Sequence, residues 1–126
     1  MLTDPSLAMT VEDACRLAWD YQVMRTLGAR ELLARSGYGD RWRSITVDLL
    51  ADTLCQHPDW VDAWFQWSDD ARSSPRWYIS VCGDGVFDVG CYPTIPPVRY
   101  GDRAEACAVF VRRELASIAG VGALPE

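Results

Sequence analysis

The sequence contains no lysine, so all twelve of its basic residues are arginines. We attribute the missing lysine to a compositional bias and draw no functional conclusion from it. An excess of basic charge is missing too, because eighteen acidic residues give a formal net charge of −6. A negative field disfavours contact with nucleic-acid phosphates and favours a basic partner. We therefore expect no direct binding of nucleic acid.

Long apolar runs and C-x-x-C motifs are also lacking. No stretch approaches the roughly 20 consecutive apolar residues of a membrane-spanning helix, so we expect no membrane association. The N-terminus Met1–Pro5 lacks the basic and apolar regions of a signal peptide, which predicts a cytoplasmic protein. In that compartment we expect reduced cysteines that serve as small apolar core residues. The five cysteines are Cys15, Cys55, Cys82, Cys91 and Cys107.

Catalytic and metal-binding motifs are not recognisable either. His57 is the single histidine, and Cys55 lies two residues before it. Side chains two residues apart do not face each other on a helix, so we do not interpret them as a thiol and its base. The pairs Asp59-x-x-Asp62 and Asp69-Asp70 do not match a calcium-binding loop. We predict no catalytic, cofactor or metal site.

Length and composition are those of one ordinary folded domain. The chain has 126 residues, of which 49% are hydrophobic and 24% charged. A chain of this length buries roughly two-thirds of its unfolded surface. We predict a single domain over residues 1–126, with residues 1–9 and 120–126 as loose termini.

Residues 77–93 predict a β-hairpin, because β-favouring runs flank Gly83-Asp84-Gly85 and Pro93 cannot continue a ladder. A two-residue turn would place Asp88 among the apolar side chains. A three-residue loop instead gathers the apolar residues on one face, so we predict that register, with a left-handed glycine in a bulge. The predicted pairs are Val81 with Phe87, Ile79 with Val89, and Trp77 with Cys91. The first two pairs are expected to be buried.

Segments with helical periodicity precede and follow this hairpin in the sequence. We predict a helix over about residues 11–27 with Thr10 as its N-cap, which Gly28 either ends or bends, because residues 29–34 again favour a helix. Asp40 is the candidate cap of a second helical stretch, whose pattern is clear over residues 47–54, and a further helix is predicted over residues 58–72. The buried stripe of the first helix is expected to be Ala14, Leu17, Ala18, Tyr21 and Met24. The helical spacing of Trp60, Trp64 and Trp67 favours core packing over an exposed binding platform.

The clearest amphipathic pattern is in the last helix, which Asp102 caps with Glu105 as its capping-box partner. Its expected stripe is Ala104, Cys107, Val111, Leu115 and Ile118, lying on the hairpin's inward face. Val98–Tyr100 could add a short third strand. The fold class predicted is α+β: N-terminal helices, a central antiparallel hairpin and a C-terminal helix packed on the sheet.

Negative charge is concentrated in one segment. Residues 1–43 and 72–126 each contain six acidic residues and six arginines, whereas residues 44–71 contain six aspartates and no basic residue. We predict that these aspartates bind a basic protein partner; the alternative is a solvated helix face without a partner. They are Asp48, Asp52, Asp59, Asp62, Asp69 and Asp70.

Several features of the C-terminal half occur together: Trp60 and Trp64, residues 68–74, Trp77-Tyr78, residues 89–92 and residues 102–114. In these features the chain resembles small bacterial immunity proteins, which are encoded beside polymorphic toxins as their inhibitors. The resemblance covers about residues 57–116 and brings no catalytic residues with it. It implies an inhibitor that binds a toxin.

Three functional hypotheses follow. The first is an immunity protein that blocks a basic toxin or nuclease through its acidic surface. The second is a phage-type inhibitor of a host defence nuclease, and a neighbouring toxin gene would distinguish the first from it. The third is a small enzyme whose site is built from scattered Asp, Ser and Cys. Loss of an activity on a single Asp or Cys substitution would indicate the third.

Overall fold

The computed structural model describes residues 5–24, 27–70, 76–92 and 95–120. The elements are α1 Pro5–Met24, α2 Ala29–Ser36, α3 Tyr38–Arg41, a 3-10 turn Trp42–Ser44, α4 Val47–Cys55, α5 Pro58–Asp70, β1 Arg76–Gly83, β2 Val86–Tyr92, β3 Ile95–Tyr100 and α6 Arg103–Ala119. Helices come first, an antiparallel sheet occupies the middle, and a helix closes the described chain. The predicted α+β class is confirmed.

The sheet has the strand order β1-β2-β3, with antiparallel neighbours. Its hairpin has the predicted register, including the Ile79–Val89 and Trp77–Cys91 pairs. The loop differs in detail. Asp84 and Gly85 form a two-residue turn, and a bulge between Val81 and Gly83 supplies the extra residue that keeps the register. Gly85 has the left-handed φ of 68° that such a turn requires.

Both edges of this sheet are protected. On β1, the hydroxyl of Ser68 from α5 accepts from the Ile79 backbone N–H at 3.0 Å and donates to its carbonyl at 3.2 Å. Strand β3 begins at Ile95 and is longer than the predicted Val98–Tyr100. Its residues Pro96 and Pro97 have no backbone N–H that could donate to a further strand. An added strand would therefore lack hydrogen-bond partners at Ile79 on β1 and two N–H donors on β3.

Helix α6 lies at the centre of the core, in contact with both α4 and the sheet. The Asp102 carboxylate caps it by accepting from the Glu105 backbone N–H at 2.8 Å, as predicted. Burial covers roughly 200° of its circumference at 100° per residue. Its buried residues are Ala106, Cys107, Ala108, Phe110, Val111 and Leu115. The predicted stripe captured the part of this surface that contains Cys107, Val111 and Leu115.

Two predicted helix starts are wrong. Helix α1 begins at Pro5, where a proline's missing N–H does no harm, so residues 5–9 are helical and Thr10 is a buried residue inside the helix. Helix α4 is capped by Thr46, whose hydroxyl accepts from the Leu49 N–H at 3.2 Å, and not by Asp40. Asp40 instead belongs to the short helix α3.

Some residues predicted to be buried are exposed. Val81 is 62% exposed because it lies near the tip of an edge strand, although its partner Phe87 is buried. Tyr21 and Met24, in the last turn of α1, are each 45% exposed. All five cysteines are free thiols, as predicted, but Cys55 and Cys82 are on the surface. No helix within the described ranges has the length and apolar character needed to cross a membrane.

Candidate functional site

Helix α5 divides its residues cleanly between a buried and an exposed side. Pro58 occupies its first turn, where the His57 carbonyl accepts from the backbone N–H groups of Trp60 and Val61. Trp64 is fully buried, and its indole N–H donates to the Cys15 carbonyl at 2.8 Å. This anchoring to α1 fixes the rotation of α5 and therefore which residues face the solvent.

The exposed side of α5 carries Asp59, Asp62 and Asp69, which we call the acidic stripe. Gln66 completes the series, so successive members are three, four and three residues apart and share one helix face. Asp70, the sixth predicted site residue, ends the helix, and its side chain lies outside the described part of the structure.

One member of the acidic stripe is neutralised. Arg103, at the start of α6, forms an ion pair with Asp62 and places its guanidinium 4.9 Å from the centre of the Phe65 ring. Within residues 5–24, 27–70, 76–92 and 95–120, Asp59 and Asp69 make no ion pair. Two carboxylates on α5 are thus available to an external cation.

Helix α4 presents a second acidic patch. Asp48 and Asp52 lie one turn apart and are both exposed. Asp48 occupies the first helical turn, next to the Thr46 cap, where the helix dipole favours a carboxylate. The structure therefore distributes the predicted aspartates over two helix surfaces, with α4 and α5 in contact.

The adjoining surface of α1 is also net negative, because its three acidic residues share one arginine. Arg16 forms ion pairs with Asp13 at 2.9 Å and Asp20 at 3.0 Å, and lies 3.8 Å from Glu12. Its guanidinium also lies 5.8 Å from the centre of the Trp60 ring. Arg16 compensates one of the three acids, so the negative surface of α5 is bordered by a surface of the same sign.

The tryptophan stripe was predicted to be core, and the structure confirms this in part. Trp64 is fully buried, whereas Trp60 and Trp67 are half-buried against the core. Trp60 stacks on His57 with ring centres 3.6 Å apart and planes at 8°.

His57 and Cys55 do not form a thiol and base pair. The Cys55 thiol donates to the Asp52 carbonyl at 3.1 Å, while the His57 ring lies on Trp60. Among the residues described, no group of three or more His, Cys, Asp or Glu side chains is arranged to hold a metal ion.

A second charged cluster lies on the sheet face away from the core. Arg99 donates to Asp88 at 3.1 Å, and this hydrogen bond lowers the pKa of the Asp88 carboxyl below its ordinary value. The pKa of the nearby Cys82 thiol is raised, mainly by desolvation and to a smaller extent by a hydrogen bond to Asp88. Burial raises the pKa of Cys15 to about 12. The buried Cys15 thiol is therefore held protonated, which makes it a poor nucleophile.

Sequence reasoning missed Arg103, which removes Asp62 from the free carboxylates. The two residues are 41 positions apart, and no local pattern indicates that α6 begins beside the middle of α5. The comparisons with known proteins add no assignment: no protein-family model, curated protein or solved structure matches the chain.

Proposed function

We propose that this chain is a protein-binding inhibitor of the immunity type, which blocks a basic toxin or nuclease through the acidic surfaces of α4 and α5. The observation that carries the proposal is the acidic stripe, in which Asp59 and Asp69 are exposed and make no ion pair in the described part of the chain. Such carboxylates can meet the cations with which a nuclease binds phosphate.

The position of Asp69 supports a role outside folding. It lies in the last turn of α5, which contains no basic residue. The negative end of the helix dipole disfavours a carboxylate there, by about 0.3–1 kcal/mol at low salt. A charge that opposes the stability of its own helix is explained if it contributes to binding.

The protected sheet edges favour docking on helix surfaces. Ser68 occupies the backbone groups of Ile79 on β1, and Pro96 and Pro97 provide no N–H donors on β3. Addition of a partner strand to the sheet is therefore disfavoured. The exposed sides of α4 and α5 instead carry Asp48, Asp52, Asp59 and Asp69.

The experiment begins with capture of the partner by the tagged protein from lysate of the source organism, followed by measurement of the partner's nuclease or toxin activity. We expect the captured protein to be basic and its activity to be lost in the complex. A partner whose activity is unchanged on saturation would contradict the inhibitor proposal.

Association kinetics then test the surface. Steering between exposed charges is screened beyond about 8–10 Å at physiological salt, so the on-rate should fall as salt rises. Replacing Asp48, Asp52, Asp59 and Asp69 together with Asn should lower the on-rate by about tenfold. The control replaces Asp40 and Asp84, two exposed aspartates outside the acidic segment, and should change it much less. An on-rate independent of salt and equal in both variants would leave α4 and α5 as solvated helix faces.

A further inference from the structure

A cleft of about 410 Å³ opens among α1, α2, α5 and α6, away from the acidic stripe. Tyr21 and Trp67 form its aromatic wall, and Ala29 and Ile118 add apolar surface. Trp67 lies roughly 120° around α5 from the middle of the stripe, at 100° per residue. The volume falls in the range of about 300–1,000 Å³ that is usual for small-molecule sites.

The aromatic wall is held in place by specific contacts. The rings of Tyr21 and Trp67 meet edge to face, with centres 5.2 Å apart and planes at 65°. The Trp67 indole N–H donates to the Glu114 carboxylate at 2.9 Å, which ties α5 to α6 and fixes the indole plane. The wall is thus organised before any ligand arrives.

The polar groups of the cleft differ in their availability. Glu114 is engaged by Trp67, and the Gln22 amide donates to the Ala63 carbonyl at 3.4 Å. Arg30, on α2, lines the same cleft, is exposed, and makes no hydrogen bond or ion pair with any residue in the described ranges. The cleft thus contains one carboxylate, Glu114, which the Trp67 N–H holds in place, and one cation, Arg30, which is the charged group left for a ligand.

We propose that this cleft binds a small planar aromatic carboxylate, with its ring against Tyr21 and Trp67 and its carboxylate on Arg30. The rings supply a flat apolar surface for the ring of the ligand. A guanidinium can bind a carboxylate through two parallel hydrogen bonds. The cleft shares no residue with the acidic surfaces of α4 and α5, so this proposal does not rest on the proposed function.

The test uses two probes of nearly equal shape, indole-3-acetate and its neutral analogue indole-3-acetamide, titrated into the full chain. Binding is followed by NMR through the indole N–H signal of Trp67, assigned from the spectrum of Trp67→Phe. We expect indole-3-acetate to bind with a Kd of about 1 mM or below, as is ordinary for a ligand of this size. The acetamide should bind at least about fivefold more weakly, because it cannot form the charged pair.

Arg30→Gln should abolish the preference for the acetate while leaving acetamide binding unchanged. Arg35→Gln, an exposed arginine on the same helix that does not line this cleft, is the matched control and should keep the preference. Both are surface changes, and an unchanged amide spectrum verifies the fold. The proposal is overturned if indole-3-acetate leaves the Trp67 signal unmoved up to about 10 mM. It is equally overturned if wild type does not prefer the acetate, or if Arg30→Gln retains the preference.

Discussion

Helices α5 and α6 are both amphipathic, yet they use their surfaces in different ways. Helix α6 is buried over more than half of its circumference, with Phe110 and Leu115 both fully buried. Helix α5 buries one side through Val61 and Trp64 and exposes the acidic stripe on another. The difference lies in position, because α6 lies against both α4 and the sheet, whereas α5 covers the β1 edge and α1 from outside.

The amphipathic patterns of α5 and α6 are similar, but the two helices have different roles. A helix enclosed by neighbours contributes apolar burial and has little surface left for a partner. A helix at the boundary contributes burial from one side and keeps the other for recognition. Substitutions in α6 should therefore act on stability, and those on the outer side of α5 should act on binding.

The largest expected effect tests the enclosed helix. Phe110→Ala should lower the free energy of unfolding by about 3–5 kcal/mol, because Phe110 is fully buried and lies 6.0 Å from the Trp64 ring. The matched control is Phe65→Ala on α5, where the ring is half-buried and should cost less. Urea unfolding of the three proteins measures both losses. Equal losses would show that α5 is enclosed to the same degree as α6.

Much of the local structure was predictable because it is decided by nearby residues. The hairpin register follows from which pairing gathers Ile79, Phe87 and Val89 on one face, and the observed register agrees. The Asp102 cap follows from its spacing to Glu105, and the Asp102 carboxylate does accept from that residue's N–H.

The remaining features depend on contacts between distant elements. Phe110 was not predicted as core because its burial requires a second neighbour for α6, which periodicity within α6 does not supply. Tyr21 was predicted to be buried from helical spacing alone, but in the structure it forms part of the wall of an open cleft.

Part of the candidate site was predictable because it, too, is decided by residues that lie close together in the sequence. The spacing of Asp59, Asp62 and Asp69 along α5 places them on one face, and all three are exposed. Their spacing gives no information on the arginine that neutralises Asp62, because Arg103 reaches it from another helix.

A smaller effect tests how α5 holds the sheet. Ser68→Ala removes the hydroxyl that pairs with both backbone groups of Ile79 and leaves a buried N–H unsatisfied. The free energy of unfolding should fall by about 1–3 kcal/mol. Ser80→Ala is the control, because Ser80 is exposed on the same strand, and it should change stability by less than about 0.5 kcal/mol. Similar values for the two variants would mean that water replaces the Ser68 hydroxyl at this edge.

The smallest effects, and the ones that bear most directly on recognition, come from the acidic stripe. Asp62→Asn removes the ion pair with Arg103 and should lower the free energy of unfolding by at most about 1 kcal/mol, because the pair is exposed. Asp69→Asn should raise the free energy of unfolding by about 0.3–1 kcal/mol at low salt, because the negative end of the α5 dipole repels the Asp69 carboxylate. Urea unfolding at low and high salt measures both, and the gain from Asp69→Asn should shrink as salt screens the dipole. A loss of stability in Asp69→Asn would show that the Asp69 carboxylate stabilises the fold. Its position on the stripe would then need no partner to explain it.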